Sequence, residues 1–264
     1  MSAWSAVHGI VARDLARSTR QTSRLLGGVA RPFMWLLLVG TGYNAIARLD
    51  SGLPYQAFVF PGIVVMAALF GGTLTAVSTV YDREFGMLRL MLASPAGLHA
   101  VLAGRAAAAT LVGVLQGGIV LAFAPLVLDS SPARWLAALG ALAVVSAMSA
   151  MLGLLMAARI RSVENFAGII NVVLFPLLFL SGALYPTDGM PPVLRAVARA
   201  NPVTYAVDLV RHAMGQPAEV GVATAAGVVL GVLVLAFLLA ALLFDPEQRF
   251  FPRRSAGSAP VSSP

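Results

Sequence analysis

The sequence contains no cysteine and no lysine, and only 11 of its 264 residues are acidic. Without cysteine there is no disulfide and no thiolate metal site. Without lysine the chain cannot carry an ordinary phosphate-binding P-loop, whose GxxxxGK motif sets a lysine ammonium on the nucleotide phosphates. All 18 basic residues are arginine. Charged residues make up 11% of the chain and hydrophobic ones 59%, against about 25% charged in soluble domains. That composition is an integral membrane protein's. The three histidines, His8, His99 and His212, are far apart and outside the apolar runs, so neither a metal cluster nor an intramembrane acid–base pair is legible.

What is present instead is a series of apolar runs at 33–47, 57–80, 100–127, 135–158, 166–185 and 220–244. Most reach the roughly 20 residues that cross ~30 Å of hydrocarbon; the first is short and interrupted by Gly40, Gly42 and Asn44. Six spans put both ends of the chain on one side. Twelve arginines fall on the face carrying the N-terminus, residues 81–99, 159–165 and the tail, and five on the other, with Arg105 just inside the third run. The positive-inside rule then places both termini and the 81–99 segment in the cytoplasm. The cores of spans two to six hold no Asp, Glu or Lys, which weighs against an ion-coupled secondary transporter, since such proteins keep intramembrane carboxylates as relays. Glycines are frequent there instead and permit close helix approach.

Three stretches break the pattern. Residues 1–31 lack the apolar core and cleavage site of a signal peptide. Their arginines Arg13, Arg17, Arg20 and Arg24 recur at helical spacing, which describes an interfacial amphipathic helix facing anionic headgroups. Arg31-Pro32 is expected to break that helix and turn the chain into the bilayer. Tyr81–Pro95, YDREFGMLRLMLASP, carries Asp82, Arg83, Glu84 and Arg89 between two apolar spans, so it must lie in water or at the membrane surface. Residues 183–218 are proline-rich with a helix-like stretch between Pro192 and Asn201, an external shelf or re-entrant pair of short helices. The end of the chain from Ser255 is low in complexity and expected to be disordered. The expected organisation is therefore an interfacial helix (1–31), a six-span domain (32–245) and a basic, then disordered tail (246–264).

Four stretches together resemble the membrane subunits of ABC transporters of the type 2 export class, which include drug-resistance, nodulation-factor and polysaccharide exporters. They are RPFMWLLLVGTG (31–42), YQAFVFPGIVVM (55–66) with Pro61-Gly62-Ile63, DREFGMLRLMLASP (82–95) and LSGALYPTDGMPPVLRAVARANPVTYAVDLVR (180–211). Where many members have threonine after the motif's glycine and an acid two residues on, this chain has Met87 and Arg89. The resemblance implies an all-α membrane protein of six spans, with an interfacial elbow helix, a cytoplasmic coupling helix between spans two and three, and an external shelf between spans five and six. It implies that Asp82, Arg83, Glu84, Phe85, Gly86, Leu88, Arg89, Leu92 and Pro95 meet a separate cytoplasmic P-loop ATPase. Glu84 and Arg89 would be the polar contacts, Phe85, Leu88 and Leu92 the apolar anchors, and Gly86 the point of close backbone approach. Two ATPase copies would serve two six-span units, a homodimer in a bacterial inner membrane. ATP and Mg would bind on the ATPase, with no cofactor, metal or nucleic acid on this chain. Phe70, Thr73, Asn171, Phe175 and Phe179 are the expected lining of a path for an amphiphilic drug, small molecule, or lipid- or glyco-conjugate. An ion-coupled transporter and a non-transporting membrane scaffold are the alternatives.

Overall fold

A computed structural model describes residues 3–20, 22–44, 52–92, 97–128 and 131–248, and these are helical with turns and no strand. Helix α1 (Ala3–Arg20) is followed by α2 (Thr22–Met34), a π-helical segment (Trp35–Gly40) and the short turn α3 (Thr41–Asn44). Pro32 does not end the helix as expected. It lies inside α2, and the chain continues through the wider π turn, where the Thr41 amide reaches the carbonyls of Leu37 and Leu38. A proline removes one intrahelical donor, and a π segment lets the ladder resume with a shifted register.

Helix α4 (Tyr55–Thr75) is the centre of the bundle: nearly all its residues are buried, Pro61 and Gly62 among them. The Thr75 hydroxyl donates back to the Gly71 carbonyl at 2.7 Å and that of Thr73 to Leu69, local bonds that bend helices. The helix breaks at Ala76 and restarts as α5 (Val77–Glu84); a corner at Phe85-Gly86 leads into α6 (Met87–Leu92). Then come α7 (Gly97–Leu121), α8 (Pro132–Arg159), α9 (Val163–Phe179), the short α10 (Pro192–Ala200) and α11 (Pro202–Met214), and finally α12 (Val222–Gln248). Beyond Gln248 the expected tail lies outside the described residues.

Among the described residues four helical stretches are long and apolar enough to cross a membrane: Tyr55–Glu84, Gly97–Leu126, Pro132–Arg159 and Val222–Phe244. They match the second, third, fourth and sixth apolar runs. The fifth run forms a shorter apolar helix of 17 residues, α9, and the first is divided by the π segment. Backbone contact holds α4, α7 and α8 together. A Cβ on Gly153 would stand 2.7 Å from Thr73 Cα, and one on Gly72 2.9 Å from the Ala150 amide, the small-residue approach that replaces hydrophobic drive inside a membrane.

At the end of the bundle away from α5 and α6, the proline-rich segment folds over the start of α4. Asn201 caps α11 by accepting from the Val203 amide at 2.9 Å, and proline fills the first position of both α10 and α11, where no donor is needed. The Tyr55 hydroxyl donates to Leu184 O at 2.8 Å and Gln216 to Ala57 O at 2.8 Å. Arg211 is buried, paired with Asp208 (3.3 Å), donating to Gly182 O (2.7 Å), and lying 4.5 Å from the Phe58 ring centroid. Burial raises the Asp208 carboxyl above the usual carboxylate range, against the pull of Arg211 and the Val220 amide. A cavity of about 780 Å³ opens here between Phe58, Tyr185, Met190 and Leu194.

Candidate functional site

The charged island lies at the lower end of the bundle, and its first three charged residues point to three different neighbours. Asp82 is 5% exposed. Its carboxylate accepts from Arg105 of α7 at 2.5 Å and from Arg13 and Arg17 of α1 at 3.4 Å each. Arg105 also donates to Thr79 Oγ1 at 3.0 Å, and Arg13 to Asp14 at 2.9 Å. The Met91 sulfur accepts from Arg105 and Arg13 at 3.2 and 3.4 Å. A charge this deep in the protein persists only when paired and hydrogen-bonded, so Asp82 joins α1 to α5 and α7. Two of the four N-terminal arginines, Arg13 and Arg17, therefore face the protein's own carboxylate. Arg20 is exposed.

The next two residues grip a different corner. The Arg83 guanidinium donates to the carbonyl of Ala157 in the last turn of α8, and to Ile160 O at 3.2 Å. It also stands 4.9 Å from the ring centroid of Phe244 in α12. Glu84 Oε2 accepts from the Val163 amide, the first of α9, at 3.1 Å. The last carbonyls and first amides of a helix have no intrahelical partner. A cation at a C-terminus and an anion at an N-terminus also match the helix dipole.

The outward face of the island is apolar. Phe85 is 66% and Leu90 70% exposed, with Tyr81 and Met87 beside them; the Tyr81 and Phe85 rings lie 4.3 Å apart, and the Arg17 guanidinium covers Tyr81 at 4.8 Å. Leu88 is buried at 2% exposure and packs into the core. Gly86 has φ +77° with open space where a Cβ would stand. Its positive φ forms the left-handed corner between α5 and α6. The side chains of Arg24, Arg89 and Leu92, and the whole of Pro95, lie outside the described residues.

The five residues expected along a path divide. Phe70 and Thr73 are turned into the bundle, at 2% and 0% exposure. Asn171, Phe175 and Phe179 are half-buried on α9, and Asn171 donates to Ala167 O within its own helix. The rings run as a chain, Phe70 to Phe175 at 5.7 Å, Phe175 to Phe179 at 6.4 Å and Phe179 to Trp35 at 5.6 Å, with the Arg31 guanidinium 4.6 Å from Phe70. Sequence reasoning missed Arg31, Trp35, Tyr81, Leu90 and Arg105. For Arg105 the signal was present: an arginine just inside a span demands a partner, and the nearest carboxylates in sequence are those of the island. Among the described residues no group of His, Asp or Glu converges to hold a metal ion.

Residues 6–214 match the family described as ABC-2 type transporter. The chain is similar to a protein named nodulation protein J in Rhizobium leguminosarum bv. trifolii, 31% identical over 225 residues, 83% of this chain and 84% of the relative. Its likeness to the nodulation protein J of Rhizobium leguminosarum bv. viciae is 29% over 236 residues, covering 87% and 89%. With that of Rhizobium meliloti (strain 1021) it is 30% over 204 residues, covering 73% and 75%.

Proposed function

The chain belongs to the ABC-2 type transporter family, and from that premise we propose how its island, elbow and shelf serve transport. It is a multi-pass membrane subunit of an ABC exporter, and family membership implies a separate ABC ATPase as partner. That membership displaces the ion-coupled and scaffold readings. In our reading the subunit has six spans, α9 and the α2–α3 segment joining the four long ones; the 17 residues of α9 rise about 26 Å at ~1.5 Å each. Both termini and the island face the cytoplasm of a bacterial inner membrane, a placement supported by the arginine distribution. The segment 1–31 is the interfacial elbow, 32–245 the membrane domain and 246–264 the cytoplasmic tail.

One observation carries the docking site: Tyr81, Phe85, Met87 and Leu90 are exposed on the same short stretch that carries Asp82, Arg83, Glu84 and Arg89. An apolar ridge rimmed by charge is the anatomy of a protein interface. We assign it to the ATPase, with Arg89, Leu92 and Pro95 extending the contact and Gly86 shaping it, while Asp82 and Leu88 hold the island to the bundle. Two ATPases, holding ATP and Mg, serve two copies of this chain, and no nucleic acid is involved. ATP-driven closure of the ATPase pair moves the islands. As α9 parts from α4, Phe70 and Thr73 join Asn171, Phe175 and Phe179 in lining a path for an amphiphilic small molecule, drug, or lipid- or glyco-conjugate, with lipids around it.

The test is co-purification of the membrane complex. Phe85→Asp and Leu90→Asp should each lower the retained ATPase about tenfold or more, the loss of a buried interface anchor worth ~1.4 kcal/mol or above. Retention at the wild-type level in both would place the docking surface elsewhere.

A further inference from the structure

We infer that Arg83 and Glu84 are positioning residues that carry displacement of the island into the α8–α9 turn, and are not themselves contacts to the ATPase. This rests on the reading of the island as the ATPase contact. The two are sequence neighbours on one short helix, yet they hold the ends of two different helices. Arg83 supplies donors to the carbonyls of Ala157 and Ile160 where α8 ends, and Glu84 supplies an acceptor to the Val163 amide where α9 begins. The connection between those helices is only Ile160, Arg161 and Ser162, so there is little slack to absorb a push before α9 moves.

Each contact satisfies a backbone group that its own helix leaves without a partner, and each has the sign the helix dipole favours. Ser162 caps the same turn by accepting from the Asn165 amide at 3.3 Å, which leaves the first amide of α9 to Glu84. Asp82, one residue earlier, fixes the island to α1 and α7, and the stacking of Arg83 on Phe244 adds α12. Three consecutive side chains thus distribute one lever over the elbow and spans three to six. The other charges at the turn, Arg159, Arg161 and Glu164, are exposed and remain for solvent or the ATPase.

The chain's lack of cysteine makes the test direct. Spin labels are introduced through Ser78→Cys on α5, the helix that carries Asp82 to Glu84 and a position outside the apolar ridge, and Val172→Cys on α9, each paired with Leu235→Cys on α12, Ser78 being half-buried and the other two exposed. Distances are measured on the complex with its ATPase in lipid nanodiscs, with and without trapped nucleotide. In the wild type both distances should shift with nucleotide. With Glu84→Ala, and with Arg83 and Glu84 exchanged, the island shift should persist while the α9 shift falls by half or more. Glu84→Gln, whose amide oxygen still accepts from Val163, should retain the α9 shift. The exchange keeps net charge, so a merely solvated loop would tolerate it. A full α9 shift in the exchanged and alanine variants overturns this inference alone. If nucleotide moves neither label in a wild-type complex that retains its ATPase, the reading of the island as a lever falls and takes this inference with it.

Discussion

Replacing Asp82 by alanine should destabilise the whole subunit, and the size of the effect follows from the burial of its partner. Arg105 has a side-chain exposure of 1% and Asp82 of 7%. Without the carboxylate, Arg105 keeps, among the described residues, Thr79 Oγ1 and the Met91 sulfur as side-chain partners, while Arg13 and Arg17 still converge on the vacated place. Removing one member of a buried ion pair costs about 3–5 kcal/mol, because the other charge stays buried and unpaired. Arg13 and Arg17, at 41% and 36% side-chain exposure, add little beyond this, since solvent screens them. We therefore take the lower end, ~3 kcal/mol, a shift in melting temperature of about 6–12 °C for a chain of this length. The assay is thermal unfolding of the purified subunit in nanodiscs, with limited proteolysis after Arg20 reporting release of α1. Asp82→Ala combined with Arg105→Met should recover most of the loss, since an apolar replacement of both partners is near neutral. A single variant melting within a degree of wild type, with α1 still protected, would refute the reasoning. If such a variant also lost the ATPase, Asp82 would belong to the docking face instead.

Gly86→Ala should cost about 1–2 kcal/mol, the penalty of a left-handed residue bearing a Cβ; because a Cβ there meets nothing, the loss is backbone strain alone and should show as a melting temperature lower by about 2–8 °C. Gly153→Val should unfold or expel the subunit from the membrane, since its Cβ would overlap the α4 backbone at Thr73, an overpacking cost of about 1–3 kcal/mol or more, read as yield of monodisperse protein. For Asp208 the raised pKa means that its stabilising share is complete below the ordinary carboxylate value and is lost as pH rises through the raised one. Melting temperature relative to Asp208→Asn, followed from pH 4 upward, should therefore decline in the wild type. A flat difference would contradict that assignment.

The sequence made the island and the shelf visible for two physical reasons: charge is costly inside hydrocarbon, and closely clustered prolines cannot continue a helix. It made four spans visible because α4 with α5, α7, α8 and α12 are long enough to register by hydropathy alone. It did not disclose which face of a span meets protein. Lipid tails and buried side chains select the same residues, so α4, nearly wholly buried, and α12, largely exposed, read alike. Phe70 and Thr73 lie in the bundle interior in this structure, a placement that hydropathy alone does not distinguish from a lipid-facing one.

The island's charges show a subtler limit. Asp82, Arg83 and Glu84 are consecutive, hydrophilic and in a water-facing segment, so composition assigns them one role on one surface. Consecutive residues on a helix point about 100° apart, and in this fold that separation is enough to reach three neighbours with three electrostatic needs. Those neighbours are an arginine cluster with a buried guanidinium to neutralise, a helix end lacking donors and a helix start lacking an acceptor. The apolar residues of the same segment, Tyr81, Phe85 and Leu90, are left facing outward, where a loop in water has no reason to expose them. Asp82, Arg83 and Glu84 thus turn to the bundle's own groups while Phe85 and Leu90 show hydrophobic side chains to the outside, which is the arrangement that the proposed docking surface rests on.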